Sequence, residues 1–167
     1  LIQNDIALYA SHLPLDIHDK YGNNVILANL LNLKKQEEFG EYKGHLIGFK
    51  GEFEEDLSVD EVLSILDKKL GYKCRDSLKF GKDKIKTIGI VSGGAQDFVN
   101  QAVLEDLDCY LTGEIEHSTY NDAKEGKINF IAAGHYATET VGVKALMPLL
   151  EKKFGVECVF VDSPTGL

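Results

Sequence analysis

The chain has 167 residues, 44% of them apolar, enough for one sizeable domain or two small lobes with a real core. Its formal net charge of −9 disfavours a nucleic-acid-binding surface, which would be basic to meet phosphates. No apolar run approaches the roughly 20 residues that a membrane-spanning helix needs. Three widely spaced cysteines (Cys74, Cys109 and Cys158), with no C-x-x-C pair, fit a reducing, cytoplasmic compartment.

In chain order, Ile6–Ala10 is strand-like, and Pro14 is expected to keep the following Ser11–Asp16 extended because it lacks an N–H. Apolar residues at Val25, Ile26, Leu27, Leu30 and Leu31 recur at helical spacing, with Asn23 or Asn24 as the expected cap. His45–Lys50 reads as a strand. Ser58-Val59-Asp60-Glu61 is a capping box opening a helix through Val62, Leu63, Leu66 and Leu70, which Gly71 stops. Cys74–Phe80 reads as an edge strand, and Lys79, Lys82, Lys84 and Lys86 as a solvated basic loop.

From Ile85 onward strands and helices alternate: strand Ile85–Val91, helix Gln96–Leu107, strand Cys109–Leu111, helix Ile115–Glu125 and strand Ile128–Ala133. A final helix from Ala137 to Phe154, with Pro148 as a kink candidate, precedes a closing strand Val156–Val161. Such alternation implies an α/β fold with a largely parallel sheet and helices on both faces. The loops at the carboxyl ends of its strands then bring Gly93-Gly94, Thr112-Gly113-Glu114 and Gly134-His135 to one sheet edge.

Two segments carry chemistry. In Gly134-His135-Tyr136-Ala137-Thr138-Glu139, His135 and Glu139 are four residues apart on a helix, about 5–6 Å at their Cβ atoms, close enough to share one metal ion or straddle two. The plainer alternative is a turn histidine and a solvated acid in the first helical turn. In Ser11-His12-Leu13-Pro14-Leu15-Asp16, an extended chain puts His12 and Asp16 on one side, as half of a metal site or as a turn closed by Asp16. Glu114 reads as a general base, as a partner for a metal-bound histidine, or as a plain helix-start acid. Gly93-Gly94 suits a tight turn better than a phosphate cradle, since no G-K-[ST] or G-x-G-x-x-G follows.

Together with Gly22-Asn23-Asn24, Val91–Gln96 and Leu111–Glu114, these segments resemble, in order and across the whole chain, the conserved blocks of the Nif-three-like family, whose members are named GTP cyclohydrolase I type 2 homologues. The resemblance implies two related α/β lobes with mostly parallel or mixed sheets, here residues 1–84 and 85–167, and a site for two divalent metal ions (zinc, manganese or iron) in the cleft between them. It makes Asp16 a ligand of one metal, His135 a ligand of the other and Glu139 the bridging carboxylate. The family's paired His-His is absent, so a preceding N-terminal segment is expected to be missing from this stretch of sequence.

The expected activity is metal-dependent hydrolysis of a nucleotide or other phosphate-bearing small molecule, with His12 and Glu114 as catalytic candidates beside the metals. The alternative is a metal-binding or metal-delivery scaffold without turnover. The resemblance further implies a toroidal homohexamer, and neither a membrane nor a nucleic acid is expected as a partner.

Overall fold

The computed structural model describes residues 1–73 and 76–165. Local signals act where the sequence places them. The Ser58 side chain accepts from the Glu61 N–H while the Glu61 carboxylate accepts from the Ser58 N–H, and the helix they open runs Val59–Leu70 and ends on left-handed Gly71. Strands form at Lys34–Tyr42 (β1), His45–Leu57 (β2), Asp76–Lys79 (β3), Ile85–Ile90 (β4), Cys109–Thr112 (β5) and Asn129–Ala132 (β6). Helices form at Leu13–Asp16 (α1), Asn23–Leu30 (α2), Val59–Leu70 (α3), Val99–Leu104 (α4), His117–Gly126 (α5) and His135–Phe154 (α6), the last continuing through Pro148.

All six strands join one sheet in the order β1-β2-β4-β5-β6-β3. The inner strands β4, β5 and β6 are parallel, while β1–β2, β2–β4 and β6–β3 pair antiparallel. The sheet is therefore mixed rather than largely parallel, and strands from both residues 1–84 and residues 85–167 lie in it. The β1–β2 hairpin departs most from the sequence reading, which placed only His45–Lys50 in a strand. Lys43 and Gly44 both have positive φ, the conformation of a two-residue turn whose twist matches the strands on either side.

Period-two alternation along the inner strands feeds two cores. Cys109 and Leu111 of β5 join Ile88, Ile90 and Ile131 against α2, α3 and α6. Tyr110 points the other way, with Phe39, Phe130 and Val99 under α4 and α5.

Two expected strands are not strands. Ile6–Ala10 and Val156–Val161 are irregular, with Leu8, Tyr9, Val159 and Val161 largely exposed. Apolar alternation is a readiness to pair, and no strand partner meets either segment among the described residues. The edge strand expected over Cys74–Phe80 is present as β3; Cys74 lies outside the described residues. The lysine cluster is neutralised residue by residue: Lys79 with Asp60, Lys82 with Asp108, Lys84 with Glu61 and Lys86 with Asp56. Among the described residues no helix is long and apolar enough to cross a membrane.

Candidate functional site

The parallel strands β4, β5 and β6 end on the same sheet edge, and a glycine follows each. The Gly113 N–H donates to the Gly93 carbonyl at 2.8 Å and the Gly134 N–H to the Gly113 carbonyl at 3.0 Å, so the three loops are laced together by backbone. Thr138 reinforces the lacing, its hydroxyl accepting from the Gly93 N–H at 3.0 Å. Gly93 has φ +72°, and a Cβ there would sit 2.4 Å from Glu139 Oε1. Only a residue without a side chain lets this turn rest against that carboxylate.

Gly134 caps α6, so the helix starts at His135, two residues earlier than the sequence pattern places it. Glu139 consequently lies in the second helical turn and not the first. His135 Nδ1 is 2.5 Å from Glu114 Oε1, and Nε2 is 3.3 Å from Glu139 Oε1. Burial raises the Glu139 pKa above the ordinary carboxylate value, and the negative charge of Asp16 adds to that rise; His135 and His12 oppose it.

Asp16 arrives by a different route from the one its sequence suggests. The segment is not extended: His12 occupies the N-cap position of the short helix α1, with Pro14 in its first turn, where the missing N–H has no partner to lose. His12 and Asp16 are thus not alternate residues on one side of a strand. His12 is exposed, whereas Asp16 is buried and accepts from Asn23 Nδ2 at 2.7 Å and from the Ser92 hydroxyl at 3.3 Å. Both donors are neutral, and among the described residues no cation is paired with Asp16.

His12, Asp16, His135 and Glu139 nevertheless line one cleft of about 260 Å³. Two carboxylates and two imidazoles are donors of the kind that hold zinc, manganese or iron. Among the described residues, however, no three His, Cys, Asp or Glu side chains stand close enough together to enclose an ion. His135 and Glu139 form one locus, with Asp16 elsewhere on the same cleft. Glu114 stands behind His135 and is itself exposed. His117, at the start of α5, is exposed as well.

Sequence reasoning missed the residues that fix this arrangement. Asn23 or Asn24 is the cap that the sequence suggests for α2, but Gly22 occupies the cap position and both asparagines are buried. Asn23 donates to Asp16 and accepts from the Gly142 N–H of α6 at 2.8 Å; Asn24 accepts from the Ser92 N–H at 2.6 Å and donates to the Ile47 carbonyl at 2.6 Å. Two adjacent amides at the head of a mostly apolar helix were the available signal, since a buried amide must find partners.

A family model described as Duf34/NIF3 (NGG1p interacting factor 3) matches residues 1–166. The chain belongs to this family. Among its curated relatives, a protein of Pyrococcus abyssi named GTP cyclohydrolase 1 type 2 homolog is 49% identical over all 167 residues, which make up 66% of that relative. A protein of the same name from Treponema pallidum is 37% identical and covers the whole chain, which spans 70% of it. The chain thus spans about two thirds of the length of these family members. A solved structure titled "Structural genomics, protein ybgI, unknown function" superposes with a TM-score of 0.87 at 34% identity, over 98% of this chain and 64% of that one.

Proposed function

We propose that the cleft holds divalent metal, two ions by the family resemblance, and serves hydrolysis of a small phosphate-bearing substrate, a nucleotide among the candidates. The observation that carries this reading is electrostatic. Glu139 and Asp16 bring two carboxylates to one cleft, where burial and the neighbouring charge of Asp16 make the charge of Glu139 more costly. A divalent cation between them would offset that cost, and the imidazole of His135 adds a nitrogen donor beside Glu139. Asp16, His135 and Glu139 are the residues that would hold metal. When bound, the metal would acidify a water and neutralise anionic substrate oxygens.

The chain's own groups do the rest. Asn23 and Ser92 orient Asp16 by donating to Oδ1, leaving its other oxygen for the cleft. His12, exposed on the same cleft, is placed to take or return a proton at the bound substrate. Next to Glu139 a wider cavity of about 530 Å³ has walls of Tyr136, Val143, Phe160 and Val161, room for the apolar body of a small molecule.

A second reading, a metal-binding or metal-delivery scaffold without turnover, draws on the absence of a closed three-residue cluster among the described residues, which fits a loosely held ion. The family resemblance adds self-association as a homohexamer to either reading. The test is metal content by elemental analysis after loading with zinc, manganese or iron, followed by assay against GTP and simpler phosphate esters. Stoichiometric metal with turnover supports the hydrolase. Metal without turnover supports the scaffold, and no metal at any concentration removes both.

A further inference from the structure

We infer that Glu114 is a positioning residue that holds the His135 ring through Nδ1, so that Nε2 is the nitrogen presented to the cleft. Glu114 lies in the loop after β5 and His135 opens α6, 21 positions apart, and the two side chains meet at 2.5 Å. When the ring is neutral, an ionised carboxylate has no hydrogen to give it, so the shared hydrogen sits on Nδ1. Nε2 is then the free lone pair, 3.3 Å from Glu139 and turned toward the cleft that Asp16 and His12 also line.

The backbone is shaped for this contact. A Cβ on Gly113 would lie 2.7 Å from His135 Cα, so the residue just before Glu114 must be bare for the β5 loop to approach the start of α6. A Cβ on Gly94 would lie 3.2 Å from Glu114 Oε2, so the Gly93-Gly94 turn closes on the carboxylate from another side. The Glu114 side chain is 45% exposed. A carboxylate behind a histidine fixes which nitrogen is free and raises its basicity. The inference deepens the metal reading above, but its first readout is independent of any metal.

The experiment compares the purified protein with Glu114→Ala and Glu114→Gln. In metal-free protein, at a pH above the histidine range, long-range nitrogen–proton NMR of His135 reports which ring nitrogen carries the hydrogen. We expect Nδ1–H in the parent protein, retention in Glu114→Gln because the amide oxygen still accepts, and a shift toward Nε2–H in Glu114→Ala. The same ring tautomer in all three, or Nε2–H in the parent, overturns the inference. Cobalt(II) titration read by visible absorption supplies the second arm. Glu114→Ala is expected to bind about ten- to a hundredfold more weakly than the parent, and Glu114→Gln to lie between them. Unchanged cobalt affinity in Glu114→Ala would overturn the positioning role toward metal. A parent protein that binds no cobalt yet shows the Glu114-dependent tautomer would sink the metal reading and leave the positioning intact.

Discussion

Asp108 and the pair Asp16 and Glu139 place buried or half-buried carboxylates at opposite ends of the same parallel strands, with opposite electrostatic outcomes. Asp108 precedes β5 and is fully matched: Oδ2 accepts from the Lys86 and Thr87 N–H groups at 2.9 and 3.0 Å, and Oδ1 accepts from Lys82 Nζ at 2.6 Å. Burial pushes its pKa up, and these three donors more than offset that, so it stands below the ordinary value. At the other end, Asp16 has only neutral donors and Glu139 is raised by burial and by Asp16. One end of the sheet has spent its carboxylate on holding strands together. At the other end, among the described residues, no lysine or arginine pairs with either carboxylate, and both face the cleft where the proposed metal would sit.

The comparison is most easily broken at Asp108. Asp108→Ala strips acceptors from two backbone N–H groups and is expected to lose about 2–3 kcal/mol in urea unfolding at neutral pH. Because the folded pKa of Asp108 is lowered, its contribution is fully present above the unfolded carboxylate value and fades as pH falls through the lower folded value. The gap between parent and variant should therefore narrow in acid. A variant as stable as the parent at neutral pH would end the claim that this carboxylate is structural.

Gly93→Ala comes next. It forces a Cβ into a φ of +72° and against Glu139, and the strain predicts a loss of about 1–2 kcal/mol together with weakened metal binding. Equal metal affinity in parent and variant would show that the turn does not set the Glu139 position. Asp16→Asn keeps the shape and an oxygen acceptor for Asn23, so its stability is expected within about 1 kcal/mol of the parent, with metal binding reduced. A large loss of stability would move Asp16 into the class of Asp108.

The smallest stability effect belongs to Glu139→Gln, and its sign is the sharpest discriminator. A carboxylate with a raised folded pKa costs stability as pH rises through that pKa, and costs nothing below the unfolded value. With both proteins metal-free, the variant should therefore melt slightly above the parent at neutral pH, with the difference vanishing in acid; after metal loading it should hold less than one ion. Its place in the second turn of α6 removes the helix-dipole loss that a first-turn acid would suffer. A variant that melts lower and keeps its metal would return Glu139 to a solvated surface acid.

Much of this was legible in the residues. The capping box and Gly71 bounded α3, the apolar runs after Ile85 marked β4, β5 and β6, and the i, i+4 spacing put His135 beside Glu139. These signals act within a few residues, through caps, glycine turns and side-chain period, so the sequence by itself decides them. What only the tertiary structure decided joins distant segments: the antiparallel hairpin on β4, the Glu114–His135 contact, and Asn23, which holds both Asp16 and Gly142, the latter 119 positions from it. The same dependence left Ile6–Ala10 and Val156–Val161 irregular despite their strand pattern. A helix closes its hydrogen bonds within itself, whereas a strand or a buried amide has none until another part of the fold supplies them.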